Sequence, residues 1–282
     1  MAPNDFKPRY ERDGYYFPLT AFGADQATKY GRRVQEIANS NYACRLGNRG
    51  QINQLHVLCP FVNEIIRSPA ILDAVESVLG PNLLVWGTSV FLKPPHSSGF
   101  VSWHQDLTYW GLNNEQEMSA WVAFGPVNQE NGCMHFLPGS HNLGQKPHRD
   151  VVDASNILTR GQHAEVDVDE SQTIPVELEP GQVSLHHGHL LHRSGPNNTD
   201  HHRVGMVINY ISTSVYQSVA DLDFAMLVRG VDEYHHFEEL PVPKAEFDED
   251  GFAMHDRMMA AHNNVLYDGA RNMDSAAPVS RK

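Results

Sequence analysis

Cysteine is scarce: Cys44, Cys59 and Cys133 are the only three in 282 residues, widely spaced and odd in number. A disulfide framework is therefore not expected, and a reducing compartment fits the composition. Basic residues are also few, with 21 Lys and Arg against 34 Asp and Glu for a formal charge of −13. An acidic surface does not attract nucleic acid or an anionic membrane, so neither is expected as a partner. The same balance speaks against a substrate as anionic as a coenzyme A thioester, unless a local basic patch exists. Long apolar runs are missing too, and nothing approaches the roughly 20 residues that span a bilayer. No basic head followed by an apolar stretch opens the chain, which predicts no signal peptide and a cytoplasmic protein. In that setting the glycosylation-like Asn197-Asn198-Thr199 is an idle match. Repeats, low-complexity tracts and linkers are likewise absent, which predicts a single domain over 1–282.

What is present can bury a core: 41% of residues are hydrophobic and only 20% charged, outside the range of disordered chains. The first part, about 1–80, reads as helices around a first strand. Ala27, Tyr30, Val34 and Ile37 recur at helical spacing and predict a helix over 24–39. Two shorter helices are expected over 61–66 and 70–79, the second opened by Pro69 and stopped by Gly80-Pro81. From 83 to about 215 the pattern becomes β-like, with strands predicted over 83–92, 101–103, 119–127, 133–137, 173–178, 182–186 and 204–211. Asn131-Gly132, Pro138-Gly139, Pro180-Gly181 and Gly195-Pro196 punctuate them. Many short strands separated this way predict a mainly β protein with flanking helices, a double-stranded β-helix of the cupin-like, jelly-roll kind. The polar stretch 141–169 reads as an excursion over its mouth, and the tail from 216 to 282 as helical, with a helix over 252–266 and fraying over 275–282.

The chemistry concentrates in Trp103-His104-Gln105-Asp106. On a strand, residues i and i+2 share a face, so His104 and Asp106 point together and Gln105 points away. Two imidazoles and a carboxylate on one face of a metal leave adjacent positions open, the arrangement of non-haem Fe(II) oxygenases. A third ligand is expected from His186-His187-Gly188-His189-Leu190-Leu191-His192, where composition leaves four histidines in competition.

The chain resembles the phytanoyl-CoA dioxygenase family of Fe(II)/2-oxoglutarate oxygenases from about Phe91 to Tyr210. The likeness is carried by Lys93-Pro94-Pro95, His104-Gln105-Asp106, Ala120-Trp121-Val122-Ala123, Glu130-Asn131-Gly132-Cys133, Pro138-Gly139-Ser140-His141 and His192-Arg193-Ser194, with Arg203 eleven residues after His192. The resemblance implies Fe(II) held by His104, Asp106 and His192, with dioxygen and 2-oxoglutarate as cosubstrates. It implies that Arg203 and Ser194 bind the far carboxylate of 2-oxoglutarate, that Lys93 helps hold it, and that Trp121 walls its pocket. A guanidinium fork matches a carboxylate in a way an ammonium cannot. Tyr109, Trp110, His135 and Arg193 are candidates for contacting substrate, while His186, His187 and His189 read as structural or as neighbours of the ligands, and His201 and His202 as a solvated turn.

Two departures bear on the reaction. Arg193 stands where many relatives have glycine; strand alternation points it away from the metal, and only if turned inward could it hold an anionic group. Related halogenases replace the carboxylate with a small residue, whereas Asp106 is present, which implies hydroxylation of a small metabolite or natural product with release of succinate and carbon dioxide. Desaturation or cyclisation by the same chemistry, a non-catalytic cupin-like binding protein and a zinc hydrolase are the alternatives. The sequence says nothing of oligomeric state.

Overall fold

The computed structural model describes residues 6–47, 50–158 and 160–266. An N-terminal helix α1 (Phe6–Asp13) leads into strand β1 (Tyr15–Thr20), then α2 (Ala24–Ala38), α3 (Ala43–Leu46), β2 (Gln51–Asn53), α4 (Pro60–Ile66) and α5 (Pro69–Leu79). The sheets follow as β3 (Leu83–Lys93), β4 (Val101–His104), β5 (Glu117–Ala123), β6 (Met134–Phe136), β7 (His148–Asp150), β8 (Gln162–Ala164), β9 (Ile174–Val176), β10 (Gln182–His186), β11 (His192–Ser194) and β12 (Arg203–Ser212). The chain closes with β13 (Phe224–Arg229), β14 (Glu238–Glu239) and α6 (Glu249–Leu266).

A large sheet runs β1-β10-β5-β12-β3-β13-β14, with β2 also paired to β3, and faces a smaller sheet ordered β4-β11-β6-β9. This is the expected two-sheet jelly roll, open rather than closed into a barrel. The helices at 24–38, 60–66 and 69–79 lie where the apolar spacing placed them, and α5 stops at Gly80, whose φ of +90° suits glycine. Two features differ from expectation. The tail read as helical contributes β13 to the large sheet, and the excursion over 141–169 carries its own hairpin, β7 with β8. β13 is recruited by β3, far away in sequence, whereas β7 and β8 are local but only three residues each, too short to show alternation. The stretch expected to fray, 275–282, lies outside the described residues. Among the described residues no helix is long and apolar enough to cross a membrane.

Strand alternation divides the large sheet into two working faces. Met118, Ala120 and Val122 of β5, Val183 and Leu185 of β10, and Val204, Met206, Ile208 and Tyr210 of β12 pack outward against Val34, Ile37, Val62, Ile65 and Val75 of the helices. The other parity of the same strands faces the small sheet, where Trp121, Ala123 and Val207 meet Phe136, Val176 and Leu190. Both faces of β5 and β12 are buried, which explains their nearly continuous apolar sequence. The polar side chains on the inner face, Ser119, His186, Arg203 and Asn209, are buried exceptions to the apolar rule. Buried polar groups are costly without partners, so this is where function is expected to sit.

Candidate metal centre and its cavity

His104 ends β4 and His192 begins β11, and the two are paired across the small sheet. Asp106 is not on the strand. The chain leaves β4 at Gln105 and enters a single 3-10 turn over Asp106–Tyr109, so the shared strand face expected for His104 and Asp106 is replaced by a turn that returns the carboxylate to the same side. Leu107 N–H donates to Gly188 O at 3.2 Å, tying this turn to the loop that delivers His192. Gln105 does face away. Its amide donates to His189 O at 2.7 Å and Gly144 O at 3.1 Å, and its carbonyl accepts from Lys146 N–H at 2.7 Å.

One ligand atom from each of His104, Asp106 and His192 lies within 4.8 Å of the other two, and no other His, Cys, Asp or Glu group among the described residues comes together this way. His104 Nε2 is 3.2 Å and His192 Nε2 3.7 Å from the same oxygen, Asp106 Oδ1. The opposite ring nitrogens face backbone carbonyls. His104 Nδ1 is 2.9 Å from Ser102 O and 3.1 Å from His192 O, and His192 Nδ1 is 2.9 Å from Leu190 O. Carbonyls accept only, so each Nδ1 carries the proton and each Nε2 directs a lone pair at the carboxylate. Two lone pairs aimed at one anionic oxygen repel, and a divalent cation between them turns that repulsion into ligation. Imidazole, imidazole and carboxylate with open neighbouring positions suit Fe(II).

The other carboxylate oxygen is braced from the large sheet. Ser119 Oγ donates to Asp106 Oδ2 at 3.3 Å, Asn209 Nδ2 donates to Ser119 Oγ at 3.0 Å, and His186 Nε2 lies 3.5 Å from Oδ2. Burial is the largest influence on the Asp106 carboxyl and works against its charge, so the ionised form depends on the partners gathered around it. Burial, reinforced by His104, pushes His192 down to about 3, which keeps it a neutral ligand.

The triad opens on a cavity of about 570 Å³ whose wall includes Trp121, Ser194, Arg203, Tyr109, Trp110 and Arg193. Arg203 is 3% exposed, lies 5.3 Å from the Trp121 ring centroid and makes no ion pair with any described residue. Burial pulls its guanidinium down to about 10, yet at neutral pH it remains a cation without a counter-charge. Lys93, paired with Arg203 across β3 and β12, is wholly buried behind the wall rather than on it. Its amine donates to Ser194 Oγ at 2.8 Å and to Gly195 O, while burial and then the Arg203 charge push it down to about 5.

The remaining candidates divide. Tyr109 and Trp110 reach the cavity. Arg193 borders it, but its guanidinium pairs with Glu170 at 2.7 Å and covers Trp103 at 5.4 Å. His135 is not on the wall. It sits opposite Arg193 across the small sheet, with Nδ1 3.4 Å from Thr173 Oγ1, so strand parity turns it away from the cavity. His187 and His189 gather around Glu115, and His201 and His202 are exposed. Sequence reading missed Ser119 and Asn209, although inward parity on two predicted strands could have found them. It also missed Gln54, Trp86 and His262 on the wall, for which no local pattern exists.

A sequence profile of the phytanoyl-CoA dioxygenase (PhyH) family matches residues 10–205. The probable alpha-ketoglutarate-dependent hypophosphite dioxygenase of Stutzerimonas stutzeri is 28% identical over 226 residues, covering 73% of this chain and 78% of that protein. The peroxisomal phytanoyl-CoA dioxygenase of Homo sapiens is 31% identical over 153 residues, 52% of this chain, and the match spans only 45% of that protein. The apo structure of ThoJ, a non-heme monooxygenase, superposes with a TM-score of 0.81 at 33% identity, covering 95% of this chain and all of that one, 100%. CytC3 with Fe(II) and alpha-ketoglutarate shares the fold, with a TM-score of 0.63 at 22% identity over 88% of this chain and 96% of its own. Profile, relatives and triad converge: the chain belongs to the phytanoyl-CoA dioxygenase family of 2-oxoglutarate-dependent non-haem iron oxygenases.

Proposed function

We propose that the protein hydroxylates a C–H bond of a small metabolite or natural product, with His104, Asp106 and His192 holding Fe(II) and Arg203 anchoring 2-oxoglutarate. One observation carries the reading: a buried guanidinium without a counter-ion lines the same cavity as the two-histidine, one-carboxylate cluster. An unpaired buried cation is strongly destabilising, and a dicarboxylate ligand supplies the missing anion.

When bound, iron supplies the activation of dioxygen. In the balanced reaction, 2-oxoglutarate, dioxygen and a C–H group become succinate, carbon dioxide and a C–OH group. Arg203 offers two parallel N–H donors to the carboxylate far from the metal, and Trp121 beneath it restrains the guanidinium plane. Ser194 adds a hydroxyl to the same wall and is itself held by Lys93. Ser119 and Asn209 keep one Asp106 oxygen engaged, leaving the other for the metal. The name of the Stutzerimonas stutzeri relative supports 2-oxoglutarate as cosubstrate; hypophosphite and phytanoyl-CoA are those proteins' substrates.

Anaerobic addition of Fe(II) and 2-oxoglutarate tests the reading. A visible metal-to-ligand absorption band is expected in the parent and not in His104→Ala or Asp106→Ala, with succinate formation lost in both variants. A band that survives either substitution overturns the triad assignment, and turnover without 2-oxoglutarate favours a zinc hydrolase.

A further inference from the structure

Resting on that reading, we propose that the cavity wall built by Trp86, Trp110 and His262 is the substrate subsite, and that it selects an uncharged, ring-bearing molecule rather than an anionic one such as an acyl-CoA.

The wall is assembled from three distant segments: β3 supplies Trp86, the turn after Asp106 supplies Trp110, and α6 supplies His262. The His262 ring stacks on Trp86 at 4.4 Å and 28°, and Trp110 lies 5.1 Å from Trp86. Each ring is fixed from behind. Trp86 Nε1 donates to Asp223 Oδ2 at 2.8 Å, and His262 Nε2 stands 3.0 Å from Asp223 Oδ1. Gln54 Oε1 accepts the Thr88 N–H at 2.9 Å, so its Nε2 faces His262 Nδ1 at 3.0 Å as donor. That bond makes Nδ1 an acceptor. Gln217 Nε2 donates to Asp223 Oδ2 at 2.9 Å and to Trp110 O at 3.0 Å, joining the third ring to the same carboxylate. A buried aspartate that lies behind the wall and bonds its groups positions the surface in front of it, and here that surface is aromatic.

Charge on the cavity wall is confined. Among the described residues, the wall has two charged side chains besides Asp106 and Arg203. Arg45 pairs with Asp256 at 2.6 Å, and Arg193 pairs with Glu170 at 2.7 Å. With 2-oxoglutarate on Arg203, each other wall cation among the described residues already has a carboxylate partner, so a second anion would have to displace one. Asn53 and Asn263 add uncharged amides. Flat rings and amides favour a neutral molecule with a π-face and hydrogen-bonding groups.

The test titrates anaerobic holoenzyme, with Fe(II) and saturating 2-oxoglutarate, with three probes: benzamide, benzoate and octanoyl-CoA. Tryptophan fluorescence and perturbation of the visible band report binding. Benzamide is expected to bind at least tenfold more tightly than benzoate or octanoyl-CoA, and Trp110→Ala to weaken it at least tenfold. Asn263→Arg, on an exposed position of α6 that borders the cavity, is expected to narrow the gap by strengthening benzoate. Equal or tighter binding of either anion, or benzamide binding unchanged in Trp110→Ala, overturns the proposal. The band itself forms without any probe, so its absence in the parent sinks the iron and 2-oxoglutarate reading, whereas its presence with the wrong probe order sinks only this inference.

Discussion

Gly205 lies directly beneath the Trp121 indole, where a Cβ would overlap the ring. The missing side chain lets Trp121 lie across β12 and come under Arg203, two residues earlier on the same strand face. The proposed cosubstrate pocket therefore depends on a residue outside its wall.

Gly205→Ala is expected to force the indole away. Overpacking of this kind typically costs about 1–3 kcal/mol. The outcome is a lowered melting temperature and a raised KM for 2-oxoglutarate, with metal binding retained. Thermal denaturation and steady-state kinetics measure both, and an unchanged KM would show that Trp121 does not position Arg203.

Arg203→Lys keeps the positive charge but loses the planar fork. Charge-assisted hydrogen bonds contribute about 1.5–3 kcal/mol each, so KM for 2-oxoglutarate should rise by roughly tenfold to a hundredfold. The effect on kcat should be smaller, since iron ligands are untouched. A lysine variant with parental KM would place the cosubstrate elsewhere.

Lys93 predicts a pH dependence of stability. Its folded value is pushed down to about 5 from an ordinary 10.5, by burial first and Arg203 second. Between those values the unfolded chain binds the proton and the folded chain does not, so stability rises with pH across that window. The contribution is complete above the unfolded value and is lost as pH falls towards the folded one. Lys93→Met removes this slope. Urea unfolding of both proteins between pH 6 and 10, a range chosen to sit roughly inside that window, should show the difference moving in the parent's favour as pH rises. A constant difference would mean that the buried lysine stays charged.

Glu117 and Gly188 form a clasp between the segments that carry the ligands. The Glu117 carboxyl accepts the Gly188 N–H at 2.5 Å, and Gly188 O accepts the Leu107 N–H beside Asp106 at 3.2 Å. Burial holds the Glu117 carboxyl well above its ordinary value, and nearby Asp106 adds to the shift. Glu117→Ala is expected to weaken Fe(II) binding about tenfold to a hundredfold, the usual loss when support behind a ligand is removed. Glu117→Gln, which keeps an acceptor for Gly188, should restore most of it. Metal titration distinguishes the pair, and equal losses in both would argue against the hydrogen bond.

The sequence alone determined the features that depend on neighbours along the chain. Helical spacing placed α2, α4 and α5, and apolar runs bounded by turn signals placed the long strands of the large sheet. The order of motifs singled out His104, Asp106, His192 and Arg203 before any geometry was known. Local pattern misplaced Asp106 on a strand, because a turn and a strand end can both bring residues i and i+2 to one side, and only the Leu107–Gly188 bond shows which occurs. Tertiary structure alone decided the rest. It turned His135 outward and set Lys93 behind the wall. It also brought Gln54, Trp86, Trp110 and His262 to one surface through contacts spanning as many as 208 residues. The candidate pair His104 and Asp106 is legible because the chemistry demands particular types at a short spacing, whereas His192 and Arg203 came from the family resemblance. The substrate wall is not legible, because packing brings together rings that local periodicity cannot connect.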